Sequence, residues 1–248
     1  MFKKTPESLR LTLRALARLV GYPDAELREQ LPGLVDALRL EQTLPAARVA
    51  EIEALCQQIA AMDAYEAEAR YVDTFDRGRQ TSLHLFEHVH GDSRERGPAL
   101  IDLMQTYEKA GLQFDARELP DHLSVVLEFA STQPPAVAQE FLGEMAHILN
   151  ALFTALNGRG NPYACVIAAV LEVAGQRVQA VPVTPEPELD DTWAEPEAFD
   201  GCSTKGQSRP GQPQPPVPPP PPAPPPRQPP PRPPEPKPPP PAPPPHPP

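Results

Sequence analysis

The densest group of chemistry-bearing side chains lies between Asp73 and Arg96, in DTFDRGRQTSLHLFEHVHGDSRER. It contains His84, His88 and His90 together with Glu87 and Asp92. His84 and His88 stand four apart, a spacing that puts two imidazoles on one helix face, and His-Leu-Phe-Glu-His matches H-x-x-E-H literally. Two histidines and a carboxylate placed this way are what a zinc-dependent hydrolase uses, provided a third ligand comes from elsewhere. A simpler reading needs no metal. Leu83, Leu85, Phe86 and Val89 pin a short helix by its apolar side, and the histidines hydrogen-bond locally beside Arg77, Arg79, Arg94 and Arg96. Patterns this short recur by chance, so the hydrolase built on His84, Glu87 and His88 is kept as the alternative.

A second cluster is ELPDHL at 118–123, running on into SVVLEFAS. Pro120 stops one element and Asp121 is placed to cap the next helix, with His122 at the junction. Other chemistry is not spelled out. No G-x-S-x-G elbow surrounds Ser82, Ser93, Ser124 or Ser131, and neither a Walker loop nor G-x-G-x-x-G is present. Cys56, Cys165 and Cys202 are far apart and form no metal knuckle or C-x-x-C pair. Cys56 and Cys165 fall on helical stripes, where a thiol is core. These residues call for no enzyme activity, cofactor or resident metal.

The elements that must position the two clusters are helices. Leu9, Leu13, Leu16 and Val20 make one stripe, and Leu27, Leu31, Leu34, Val35 and Leu38 a second, with Pro32 as a possible kink. Ile52 through Phe75 reads as one long helix over 46–76, roughly 45 Å at 1.5 Å per residue. Stripes follow at 100–107, 119–130, 137–156 and 163–174. Asp24 is a helix N-cap, Asn161-Pro162 reads as N-cap and first helical residue, and Gly111 and Gly158 stand where helices end. The nearest approach to a strand, Val178 to Val183, contains Pro182. The expected fold is all-α, a single bundle of about seven helices over residues 1–180.

Two further zones follow. Residues 181–208 are acidic and proline-punctuated, with Trp193 and Phe199 able either to dock on a partner or to lap back on the bundle. Residues 209–248 are mostly proline, too poor in apolar side chains to fold, and are expected to be a disordered polyproline tail. From Arg209 onward the tail carries +3 of a chain total of −11, which leaves −14 for the rest. Such a body repels nucleic acid and suits a basic partner, although an acidic surface also serves solubility alone. Arg10, Arg14 and Arg18 interrupt the apolar residues near the N-terminus, which is not a signal-peptide pattern. No apolar run is long enough to span a membrane, so a cytoplasmic location is expected.

The clusters together resemble a known family. YVDTFDRGR at 71–79, SLHLFEHVHGDSRERG at 82–97, ELPDHL with Leu127-Glu-Phe, and DTWAEP at 191–196 with Phe199 closely resemble the NarJ group of the TorD/DmsD/NarJ chaperones. The resemblance covers about residues 8–202. It implies an all-helical assembly chaperone of membrane-bound respiratory nitrate reductase. Such a chaperone binds the N-terminal segment of the catalytic (alpha) subunit until the molybdenum cofactor is inserted, and it is absent from the finished enzyme. It also ties the Pro120-Asp121-His122 loop to client binding. Tyr71, Asp73, Asp76, Arg77, His84, Glu87, His88, Pro120, Asp121 and His122 are the candidate client-binding residues, with carboxylates such as Asp73, Asp76 and Asp121 facing basic client residues. The proline tail departs from the family pattern. It reads as a spacer, a ligand for a proline-recognising domain or a neutral expansion, and a scaffold acting through that tail is a third functional reading.

Overall fold

The chain folds as its apolar stripes require, with each stripe turned onto a common core. The computed structural model describes residues 6–91, 93–113 and 118–182. Among these the chain forms ten α-helices: α1 Arg10–Leu19, α2 Ala25–Glu41, α3 Ala46–Ala61, α4 Ala64–Phe75, α5 Leu85–His90, α6 Arg96–Lys109, α7 Leu123–Thr132, α8 Pro135–Glu144, α9 Ala146–Gly158 and α10 Ala164–Val173. One 3₁₀ turn, Arg79–Thr81, separates α4 from α5. The all-α expectation holds, and no helix among the described residues is long and apolar enough to cross a membrane.

The helix count exceeds the expected seven for physical reasons. The long helix expected over 46–76 breaks at Met62, whose backbone is extended, and Asp63 restarts it by accepting the Glu66 N–H at 2.8 Å. The stripe at 137–156 is likewise two helices, joined at Met145 by bonds to Leu142 and onward to Ile148 and Leu149. The histidine segment contributes α5, a six-residue helix. Asp24 caps α2 as expected, accepting from the Leu27 N–H at 2.7 Å. Asn161 bonds the Tyr163 N–H at 3.0 Å just ahead of α10. The left-handed residue after α9 is Gly160, φ +62°, rather than Gly158, which stays helical; Gly111 has the expected positive φ, +83°.

The middle of the bundle is α10. All of its residues except Glu172 are buried, as befits a helix apolar on every side. It lies against α9, α3, α1 and α8, while α1 packs chiefly on α7 and α2. Cys56 and Cys165 are buried thiols in this core. A satellite cluster of Leu103, Tyr107 and Phe129 holds α6 to α7. Beyond α10 the chain forms no strand over its described residues; it lies along α9, where Asn150 and Thr154 accept the Gln179 and Val181 amides. The expectations for Trp193, Phe199, Cys202 and the polyproline tail concern residues outside those described.

One cap comes from a neighbouring helix. Leu9, which precedes α1, has no capping side chain. Glu41, the last residue of α2, accepts the Leu11 and Thr12 amides at 3.1 and 2.7 Å and the Ser8 hydroxyl at 2.7 Å. Partial burial works to raise its pKa, but these donors outweigh burial and the carboxyl titrates below its ordinary value. The Glu41 contribution is therefore present above the ordinary carboxylate range and fades as pH falls through it. Replacing Glu41 with Ala should cost about 1–2 kcal/mol in urea unfolding at neutral pH. The difference from the parent chain should narrow when the titration is repeated in acid.

Candidate functional site

The two sequence clusters meet through a short antiparallel contact. Leu123 N–H donates to Leu83 O at 2.9 Å and Leu85 N–H to Asp121 O at 3.1 Å, which sets His84 opposite His122. The local sequence explains the arrangement. Pro120 supplies no amide donor, and its carbonyl is taken by the Tyr107 hydroxyl of α6 at 2.8 Å. The next two residues are then free to lie alongside residues 83–85.

Asp121 is the centre of the contact. Its side chain is fully buried, and Oδ2 accepts the Phe86 N–H at 3.0 Å, so it caps α5. This corrects the expectation that it caps the helix following it. That helix, α7, is capped by His122, whose Nδ1 accepts the Ser124 N–H at 3.3 Å and meets Ser124 Oγ at 2.7 Å. Oδ1 of Asp121 lies 3.4 Å from His84 Nδ1, an ion-pair approach without hydrogen-bond alignment, and Arg96 Nη2 lies 3.9 Å from Oδ2. Burial works to raise the Asp121 pKa, but His84, the Phe86 amide and Arg96 outweigh it and hold the carboxyl below its usual value.

The two imidazoles, 5.1 Å apart edge to face, are driven in opposite directions. Contact with Asp121 raises the His84 pKa against burial and the Arg96 charge. Burial, helped by the His84 charge, lowers that of His122 to about 4. The contact thus favours the protonated form of His84 beside an ionised Asp121, and the neutral form of His122.

The remaining candidates fall into four places. Asp76, Arg77, His84 and Glu87 line one cleft of about 380 Å³ beside the 3₁₀ turn. Asp73 is exposed one turn earlier on α4 and pairs with Arg77 at 3.0 Å. Tyr71 is core: its hydroxyl donates to Val20 O at 2.8 Å, and its ring packs on Tyr22, Phe75 and Tyr163. His88 does not join His84. Its Nε2 lies 2.8 Å from the Ser82 carbonyl, while Glu87 accepts from the Ser82 hydroxyl at 2.6 Å. His84 precedes α5 with an extended backbone and meets Asp121. The H-x-x-E-H pattern thus offers no shared face for zinc, and no group of metal-ligating side chains gathers among the described residues. The zinc hydrolase is set aside on this geometry.

The sequence reading missed a second opening. A groove of about 590 Å³ between α1, α2, α6 and α7 is walled by Leu11, Leu34, Val125 and Phe129, with the charged Arg14, Arg18 and Glu128 also lining it. Leu11 at 38% exposure and the partly exposed Leu34 and Val125 were the available signal, since each extends an apolar stripe past the face its helix buries.

The family model described as nitrate reductase delta subunit matches residues 23–169, which include both clusters, all of α2 to α9 and the first part of α10. The chain belongs to the nitrate reductase delta subunit family. Among the relatives of this family, the nitrate reductase molybdenum cofactor assembly chaperone NarJ of Escherichia coli K12 is 38% identical over 193 residues, 77% of this chain and 80% of the relative. The probable assembly chaperone NarW of the same strain is 37% identical, with 73% and 76% of the two chains covered. The probable NarJ of Bacillus subtilis strain 168 is 33% identical over 67% of this chain and 91% of its own.

Within this delta subunit fold, removing the buried carboxylate should be costly. Asp121→Ala strands the charged His84 and uncaps α5, and should lose about 3 kcal/mol or more in denaturant unfolding. Asp121→Asn, which keeps an acceptor for the Phe86 amide, should lose less. His122 gives a pH signature. Because its folded pKa is depressed, its stabilising contribution is whole above the ordinary histidine value and drains away as pH falls toward 4. His122→Asn keeps an acceptor for the Ser124 amide and cannot titrate. Its stability relative to the parent chain should improve by on the order of 2–3 kcal/mol between about pH 6.5 and 4. His84 has the opposite sign: its contribution is complete below its ordinary value and is lost as pH rises through the raised one.

Proposed function

We propose that this chain is an assembly chaperone for respiratory nitrate reductase. It binds the incomplete catalytic subunit through that subunit's N-terminal segment, keeps it receptive to the molybdenum cofactor, and leaves before the enzyme is finished. The cofactor is the client's cargo and not a group resident in this chain. The chaperone works in the cytoplasm and catalyses no reaction itself. The observation that carries the proposal is the 38% identity to NarJ of Escherichia coli, spread over 77% of the chain.

The geometry supports the reading in two ways. An apolar groove open between helices is the kind of surface that receives the apolar face of a client helix, and Leu34 and Val125 stand in its wall. Asp73, Asp76 and Glu128 are exposed carboxylates on a chain of net charge −11, which attracts a basic client terminus. Of the candidate contacts, Asp73, Asp76, Arg77, His84 and Glu87 are accessible to a client. His88, held to Ser82, with Tyr71, Pro120, Asp121 and His122, maintains the shape behind them.

Co-expression with the nitrate reductase catalytic subunit should recover a complex in which that subunit lacks its cofactor. A synthetic peptide of the subunit's N-terminus should bind in calorimetry, more weakly as salt rises. Leu34→Glu and Val125→Glu should each weaken it about tenfold, roughly 1.4 kcal/mol. A catalytic subunit that matures at the normal rate in cells lacking this chain would refute the proposal.

A further inference from the structure

Between α3, α4 and the α9–α10 link lies a separate cavity of about 250 Å³. Its floor is apolar, formed by buried Leu55, Ile59, Leu156 and Tyr163, with Met62 partly exposed at the side. Arg159 stands at the exposed rim, as does Arg70, which pairs with Glu66 at 2.7 Å. Asp73 also lines it, but its charge is matched by Arg77 at 3.0 Å. Thr81 borders this space but is wholly buried, and its hydroxyl, which has no hydrogen-bond partner among the described residues, is closed to solvent. Small-molecule sites usually start at about 300 Å³, so this space suits one bulky side chain better than a whole ligand. The side chain that fits has a large and mostly apolar body, as an indole does.

The chain supplies one. Past α10, Gln179 N–H donates to Asn150 Oδ1 at 2.8 Å and Val181 N–H to Thr154 Oγ1 at 3.1 Å. Two extended residues advance about 6.6 Å and four helical residues about 6 Å, so this segment runs beside α9 and in its direction. It heads toward Arg159, at the end of α9 that borders the cavity. Trp193, the sole tryptophan, follows Pro182 by eleven residues. That length reaches roughly 36 Å when extended, longer than the roughly 20 Å of α9 itself. Residues 183–193, VTPEPELDDTW, carry Glu186, Glu188, Asp190 and Asp191 with no Lys or Arg, a charge opposite to the Arg70 and Arg159 rim.

We propose that this cavity is the docking site of the chain's own Trp193, with the preceding carboxylates against Arg70 and Arg159. Thr74 and Thr81 of the cavity adjoin Phe75 and Ser82 of the polar cleft, so the segment ends next to that cleft.

Intrinsic fluorescence of the full chain reads this directly, because one tryptophan gives all of the indole signal. The emission should be blue-shifted from that of N-acetyltryptophanamide, and acrylamide should quench it severalfold less. The double substitution Arg70→Glu with Arg159→Glu, and separately Met62→Glu, should return both readings toward the free amide while circular dichroism stays helical. Val125→Glu, in the groove between α1, α2, α6 and α7, should leave them unchanged. Solvent-like emission from the parent chain would overturn the proposal. So would a shielded tryptophan that ignores the cavity substitutions, or one released by Val125→Glu.

Discussion

The structure around the candidate site depends on one buried negative charge. Asp121 has no exposure to water and sits where three segments converge: the start of α5, the loop before α7 and the start of α6. A carboxylate in such a place is tolerated only when donors and a cation surround it. The Phe86 amide, His84 and Arg96 fill those roles. Once they do, the backbone exchange between residues 83–85 and 121–123 is fixed, and the floor of the cleft lined by Asp76, Arg77 and Glu87 is fixed with it. The charge acts by holding the cleft's shape rather than by standing in it.

Much of the bundle was readable from the spacing of leucines, because a helix that buries one face must repeat its apolar residues every three or four positions. Asp24 was readable as a cap because it acts on an amide three residues on, whereas Asn161-Pro162 was placed too close to its helix: α10 begins only at Ala164, and Asn161 holds the Tyr163 amide in the turn before it. The break after Met62 was legible in principle. Asp63 followed three residues later by Glu66 is a helix-start signature, hidden because Met62 extends the apolar stripe across it.

What escaped the sequence was the choice among partners. An aspartate before a helix looks like that helix's cap, yet Asp121 caps α5, 35 residues upstream, and His122 takes the local role. Histidines at i and i+4 look like a ligand pair, yet a single extended residue at position 84 turns one toward Asp121 and leaves the other on the Ser82 carbonyl. Glu41 likewise caps α1 from the far end of another helix. In each case tertiary packing decides between hydrogen bonds that are locally equivalent, and one sequence carries no record of that decision. The resemblance to NarJ-type chaperones did bring the two clusters together, without giving the contact that joins them.

The central position of α10 has a consequence for the order of synthesis. The bundle's innermost helix is the last of the ten to be made, and α1 also waits for α7 to pack against. Until α10 is made, the faces of α1, α3, α8 and α9 that it covers have no lasting partner, the state in which nascent chains aggregate or are degraded. A chain that stops short of Ala164 lacks its centre rather than its edge. A protein placed in a family with assembly chaperones among its members thus passes through a vulnerable stage of its own, one that ends only when α10 leaves the exit tunnel.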